Sequence, residues 1–219
     1  MPPHTKPPPS APEPAPPAAD PGRDAAKRAL DVAVCLIALP LAAPLLLALM
    51  LWVRLDSPGP AFFRQERVGR GGRLFRIHKL RTMHTGAAGL QVTRAGDARI
   101  TRAGRWLRRT KLDELPQLID VLKGDMSLVG PRPEVPRYMA LYPPEARRII
   151  LSLRPGITDR AAIEFRHEES LLAQAADPER AYVEQVMPIK QRHYLAYAAS
   201  HSLRGDLRIL WDTLRAVWG

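Results

Sequence analysis

Cysteine is almost missing from the chain: Cys35 is the only one in 219 residues. No intrachain disulfide can form, and a reducing compartment fits this usage. Aromatic residues are few, at 6%. Neither a G-x-x-x-x-G-K-[ST] loop nor a G-x-G-x-x-G occurs, so the common glycine-rich phosphate cradles are excluded. His78, His84, His167, His193 and His201 show no metal-ligand spacing, and solvated or structural roles are expected of them. Acidic charge is scarce in one region. From Arg54 to Lys111, 15 lysines and arginines stand against three acids, Asp56, Glu66 and Asp97. The net charge of +11 is therefore one block, which calls for a polyanionic partner: nucleic acid, anionic lipid or a phosphorylated substrate.

The length suits one compact domain with extensions. The first 21 residues hold ten prolines, a density that forbids helix and leaves too little apolar surface for a core, so residues 1–22 are expected to be a disordered tail. Residues 32–53, "VAVCLIALPLAAPLLLALMLWV", are 22 consecutive uncharged and almost wholly apolar residues. At ~1.5 Å rise per residue such a helix crosses a ~30 Å hydrocarbon layer. Lys27 and Arg28 precede the run, and Arg54, Arg64, Arg67, Arg70, Arg73 and Arg76 follow it. Basic residues beside a membrane segment prefer the cytoplasmic side, and here both ends ask for it. A helix that enters, bends and returns meets that demand. Pro40 and Pro44 lie mid-segment, where each removes a helical hydrogen bond. Residues 23–56 are therefore expected to be a re-entrant helix–break–helix with Pro44 at the break, the alternative being a proline-kinked single span. Asp31 is expected to pair with Lys27 or Arg28 one turn away.

In "TKLDELPQLIDVLKGDMSLVGPRPE", residues 110–134, Asp113 and Glu114 are adjacent carboxylates. Helical neighbours point ~100° apart, so they suit divided labour rather than gripping one atom from opposite sides. Pro116 is tolerated in a first turn, which predicts a helix from near Asp113 to about Lys123 with Gly124 as its stop. Asp113 would then lie by free N–H groups at the positive end of the helix dipole. On "LDEL" alone the favoured reading is Asp113 as an N-cap and Glu114 as a first-turn acid, a common arrangement.

The longer pattern says more. "KRALD" before the apolar run, then "SPGPAFFRQERVG", "FRIHKLRTM", "LRRTKLDELPQLIDVLKGDMSLVGPRPE" and "RPGIT" occur in this order. Over residues 27–219 the chain resembles the bacterial sugar transferases, monotopic polyprenyl-phosphate phosphoglycosyl transferases of the short form. The resemblance implies an inner-membrane enzyme on the cytoplasmic face. It would move a sugar-1-phosphate from a UDP-sugar to undecaprenyl phosphate and release UMP, the first membrane step of exopolysaccharide, capsule, O-antigen or glycoprotein glycan assembly. It further implies that Asp113 attacks the sugar-bearing phosphate and forms a covalent intermediate, and that Glu114 binds Mg2+. Phosphoryl transfer is mostly positioning and charge neutralisation, which gives the arginines a purpose. Arg132, stiffened between Pro131 and Pro133, suits bidentate phosphate binding. Lys79, Arg81 and Arg108 are further phosphate-binding candidates, and Asp125 is either a metal-supporting or a turn aspartate. The other arginines of the block are expected at lipid headgroups. Two departures stand out: Ala43-Pro44 replaces the family's Ser-Pro, and "RPGITDRAAIEFRHEESLL" diverges after "RPGIT".

The expected fold class is mainly α with a small β-hairpin (α+β): a monotopic membrane protein whose residues 57–219 form one cytosolic catalytic domain. "AFFRQERV" and "RLFRIHKL" read as the hairpin, joined by a glycine turn at 69–72. Helices are expected at 98–109, 135–151, 166–175, 178–198 and 203–218. The last is amphipathic, with Leu203, Leu207, Leu210, Leu214 and Val217 on one side. Homodimerisation stays open. Competing classes are a membrane-tethered nucleic-acid binder or a non-enzymatic scaffold. Against nucleic acid, the basic block offers few aromatics for stacking and no helix-turn-helix or zinc-finger spacing.

Overall fold

A computed structural model of the chain describes residues 21–86 and 92–218. The expected proline-rich tail lies outside the described residues up to Asp20, and Pro21 already opens the first helix. Helix α1, Pro21–Asp56, contains both Pro40 and Pro44 and runs on as one helix through them. The expected break is therefore no interruption of helical structure. By length and composition α1 is the one described helix able to cross a membrane.

Both halves of α1 dock on the rest of the chain. In the first half, Arg28 donates to the carbonyls of Val121 (2.5 Å) and Leu122 (2.8 Å), and Lys27 meets Asp206 at 2.5 Å. Those carbonyls close the helix that follows the carboxylate pair, so a guanidinium satisfies its orphan C=O groups. Asp31 pairs with neither Lys27 nor Arg28; its Oδ1 accepts from the Leu128 N–H at 3.1 Å. Both cations have left for partners elsewhere in the chain, and Asp31 serves a strand end instead. In the second half, Leu49 and Val53 pack with Leu80 and Leu107, and Asp56 accepts from the Ala103 N–H at 2.9 Å. Between these anchors Cys35 is buried but much of the helix is bare: Leu36, Ile37, Leu41 and Leu47 are all more than half exposed.

Strands β1 (Phe62–Val68) and β2 (Leu74–Leu80) form the expected antiparallel hairpin, with Phe62 opposite Leu80 and Val68 opposite Leu74. Gly71 and Gly72 turn the chain with positive φ. Helix α2 (Arg102–Thr110) starts later than expected because the Thr101 hydroxyl caps it, accepting from the Gly104 N–H at 2.9 Å. A 3-10 turn, Leu112–Glu114, then leads into α3, Gln117–Lys123, which stops at Gly124 with φ 87°.

A second sheet was not foreseen. β3 (Ser127–Val129) and β4 (Gly156–Thr158) pair in parallel, Ser127 opposite Gly156 and Val129 opposite Thr158. Such short strands carry too little alternation to be read from a sequence. The helix expected at 135–151 is two, α4 (Pro136–Met139) and α5 (Pro144–Ser152), parted at the Pro143–Pro144 pair. Helices α6 (Arg160–Glu164) and α7 (Glu168–Ala173) occupy the divergent stretch. The span 178–198 becomes α8 (Pro178–Ala181), a π-turn (Tyr182–Val186) and α9 (Met187–Ser200), and α10 is Leu203–Trp218. One apolar cluster joins Cys35 of α1 to Ile77, Val121, Met126 and Ile209, so α1, the hairpin, α3 and α10 share a core.

Candidate active site

The carboxylate pair is set by one backbone event. Lys111, the only described non-glycine residue with positive φ (58°), ends α2 in the left-handed region and throws the chain into the 3-10 turn. The turn is closed by the Glu114 N–H donating to the Lys111 carbonyl at 3.1 Å. Asp113 thus lies in the turn ahead of α3 rather than at an α-helical N-cap, because Pro116 takes that position. Both acids are buried, Asp113 at 1% exposure.

Their partners come from two other elements. Lys79, near the end of β2, places its Nζ 2.7 Å from Asp113 Oδ2 and 3.4 Å from Glu114 Oε1. Arg132 reaches Glu114 with both terminal nitrogens, Nη1 to Oε2 at 3.0 Å and Nη2 to Oε1. Burial alone would raise the Glu114 carboxyl, but Arg132 and Lys79 overcome it and hold the group well below the usual carboxylate range. Glu114 in turn pushes the Arg132 guanidinium up. Asp113 Oδ1 is buried with no hydrogen-bond partner among the described residues. The arrangement thus offers one carboxylate oxygen without a partner beside two cations, a lysine and an arginine.

The loop that carries Arg132 is positioned by backbone contact. Pro131 and Pro133 flank the arginine as expected; the Pro131 carbonyl accepts from Gly156 N–H at 2.9 Å and the Pro133 carbonyl from Arg67 Nη1 at 3.0 Å. At the crossing, a Cβ on Gly156 would lie 2.1 Å from the Gly130 nitrogen. Only paired glycines let β3 and β4 approach this closely.

Two expected phosphate binders are not drawn into this cluster. Arg81 is buried, donating to the Pro60 carbonyl (2.6 Å), Ser57 Oγ (2.6 Å) and the Ser57 carbonyl (2.8 Å) at the joint between α1 and β1. Arg108 donates to Glu169 Oε1 and, at 3.1 Å, to Thr82 Oγ1. Asp125 pairs with Lys123 at 3.2 Å across the α3 stop. Pro44 is exposed on the bare stretch of α1.

Sequence reasoning missed several supports. His78 binds the fully buried Asp120 twice, through its backbone N–H (2.8 Å) and Nδ1 (2.6 Å), fixing α3 against β2. The signal was faint: Asp113 and Asp120 lie seven residues apart, close to two helical turns, beside neighbouring His78 and Lys79. Asp159, first residue of the divergent stretch, caps α6 through the Ala162 N–H at 2.9 Å, and burial pushes its carboxyl up. No cluster of three or more His, Cys, Asp or Glu able to hold a metal occurs among the described residues. Magnesium bound to a diphosphate needs only one or two carboxylates, which the pair provides.

A 39% identity over 178 residues links the chain to an Aeromonas hydrophila UDP-N-acetylgalactosamine-undecaprenyl-phosphate N-acetylgalactosaminephosphotransferase, covering 78% of this chain and 38% of that protein. UDP-glucose:undecaprenyl-phosphate glucose-1-phosphate transferases of Caulobacter vibrioides and Escherichia coli are 51% identical over 123 residues and 44% identical over 119. These matches cover 53% and 52% of the chain, and 45% and 26% of the respective relatives. The chain thus spans less than half the length of each of these three relatives. The sequence pattern of one family, however, matches it from residue 22 to residue 219, and on that match the chain belongs to the bacterial sugar transferase family.

Proposed function

We propose that this chain transfers a sugar-1-phosphate from a UDP-sugar to undecaprenyl phosphate, with release of UMP, and that Asp113 is the nucleophile. The observation that carries the reading is the unequal use of the Asp113 oxygens. Oδ2 is held by Lys79, and Oδ1 is buried and unpartnered. A buried oxygen without a partner is costly unless a ligand or metal completes it.

In the first step Oδ1 attacks the sugar-bearing phosphorus, the bond from phosphorus to the bridging oxygen breaks, and UMP departs with those electrons. In the second, an oxygen of the lipid phosphate attacks the same phosphorus and frees the carboxylate, so the products are UMP and a lipid diphosphate sugar. Splitting the transfer this way is covalent catalysis by a carboxylate. Lys79 and Arg132 neutralise phosphate charge, and Arg132 does so by sharing its fork between Glu114 and the incoming anion. Mg2+ would supply charge neutralisation on the diphosphate, with Glu114 as its carboxylate donor.

The proposed substrates support a location: a nucleotide sugar comes from the cytosol and the lipid phosphate sits at the interface. An α1 that enters the inner membrane and returns would keep residues 57–219 on the cytoplasmic face as one catalytic domain. In support, its two halves dock on the same body while the stretch around Pro40 and Pro44 is bare.

The test is incubation of the detergent-solubilised chain with Mg2+, undecaprenyl phosphate and a panel of UDP-sugars, with UMP measured. Asp113→Asn is expected to abolish release while the variant still folds, and labelled donor should leave a hydroxylamine-sensitive adduct on the wild type. Full turnover by Asp113→Asn would overturn the assignment.

A further inference from the structure

Helix α2 carries a face that the carboxylate chemistry leaves unused. Arg102, Arg105 and Arg109 stand at helical spacing on it, and all three are exposed. None of them is held by a carboxylate among the described residues. Trp106 lies on the same face, 36% exposed, with its ring 5.4 Å from that of Trp52 on α1. Trp52 is flanked by Leu51 and Leu55, exposed by 60% and 77%. Tryptophans set between bare leucines and a row of arginines mark the boundary between hydrocarbon and headgroup.

At the far end of α2 stands Lys111. Its N–H donates to the Arg108 carbonyl at 3.4 Å and its own carbonyl closes the turn bearing Asp113 and Glu114. The residue is exposed, and its charge is felt by Glu114, Arg132, Asp113 and Lys79. Lys79 and Arg132 hold carboxylates; Lys111 holds none among the described residues.

We propose that Arg102, Arg105, Arg109 and Lys111 form a cationic rail along which the phosphate monoester of the lipid acceptor passes from the Trp52–Trp106 boundary to Asp113, with Lys111 as its last contact. The inference rests on the function proposed above. It assigns the rail to the acceptor because the row begins where α1 ends, whereas Lys79 and Arg132 approach the carboxylates from β2 and the β3–α4 loop. Over nine residues α2 bridges about 13 Å, enough to lead a headgroup phosphate from the boundary to the turn.

A two-step transfer with a covalent intermediate lets the substrates be examined separately, since kcat/KM for each reports only its own half-reaction. The full chain would be assayed as wild type, as the triple variant Arg102→Gln/Arg105→Gln/Arg109→Gln, as Lys111→Gln and as Lys111→Gly. One charge at a headgroup is worth roughly fivefold in affinity. The acceptor kcat/KM should therefore fall about fivefold in Lys111→Gln and at least about tenfold in the triple variant, with the donor kcat/KM unchanged. Added salt should narrow these gaps. Lys111→Gly relaxes the left-handed residue, so an equal kinetic loss at an unchanged or higher melting temperature ties the effect to the ammonium.

Three results would overturn the rail. A matching fall in the donor kcat/KM assigns these cations to the nucleotide diphosphate. An unchanged acceptor kcat/KM removes any role in capture. Lost binding to phosphatidylglycerol vesicles, with acceptor kinetics intact in detergent, leaves only adhesion to bulk headgroups. If the wild type releases no UMP from any UDP-sugar, the underlying enzyme reading fails instead.

Discussion

Arg132 grips Glu114 with both ends of its guanidinium, Nη1 standing 3.0 Å from Oε2 and Nη2 against Oε1. The clamp crosses 18 residues of sequence and joins the turn before α3 to the loop after β3. It is therefore both a structural tie and a store of oriented positive charge beside Asp113.

That clamp has a pH signature. The folded pKa of Glu114 is depressed by Arg132 and Lys79 acting against burial, whereas the unfolded value is about 4.3. Its contribution is complete above the unfolded value and is lost as pH falls toward the folded one. Glu114→Gln should lower stability near pH 7 by about 2–4 kcal/mol, because it leaves a largely enclosed guanidinium with a neutral partner. Thermal melts of the two proteins should converge as pH drops from about 5 toward 3. A gap that stays constant down to pH 3 would show that the carboxyl's charge is not what matters.

Much of this site was legible in the sequence, and the part that was not has a physical reason. Asp113, Glu114, Arg132 and Lys79 could be named because motif order fixes them, and all four converge. The hairpin could be read because alternation and a glycine turn are local signals. The partners of Arg81 and Asp31 were hard to foresee because most are backbone groups, Pro60 and Ser57 for one and Leu128 for the other. Backbone N–H and C=O groups have no letter in a sequence. The β3–β4 ladder escaped for a related reason: three-residue parallel strands are set by the distant Gly130–Gly156 contact.

The glycine contact can be tested against a control. In Gly156→Ala the new Cβ would meet Gly130 backbone atoms at 2.1 and 2.4 Å, so the ladder must open. Overpacking of this kind costs about 1–3 kcal/mol, or roughly 3–10 °C in melting temperature for a chain of this size. UMP release should fall further than stability alone explains, because Arg132 moves with the loop. Gly71→Ala meets nothing within 4 Å and strains only a positive φ, so it should cost about 1 kcal/mol and leave turnover intact. Equal activity losses in the two variants would separate the ladder from the site.

Arg81 offers a choice between architecture and substrate contact. Its guanidinium serves Pro60, Ser57 and Val53 from a position that is 3% exposed. Arg81→Lys cannot reproduce that fork and leaves several carbonyls unpaired, at about 2–4 kcal/mol in total. The melting temperature should drop while the KM for UDP-sugar in the folded fraction stays unchanged. A raised KM at unchanged stability would return Arg81 to the phosphate.

The course of α1 is the remaining test. A straight helix of 36 residues is about 54 Å long, well beyond a hydrocarbon layer of ~30 Å. A straight rod laid on a rounded body touches at its middle and lifts at its ends; α1 does the reverse. Asp31 and Cys35 are buried at one side, Leu49 and Val53 at the other, and Leu41 between them is 76% exposed. A bend near Pro40 and Pro44 would reconcile these contacts with the proposed return of α1 to the cytoplasmic face. Asp24→Cys and Pro60→Cys, each introduced with Cys35→Ala, should both resist an impermeant maleimide in intact spheroplasts and react after lysis. Replacing Pro40 and Pro44 by alanine should straighten the helix and pull one of its halves off the body, exposing one introduced cysteine to the outside. Labelling of position 24 or position 60 in intact cells with both prolines present would establish a simple span, and with it a different route for the lipid to Asp113.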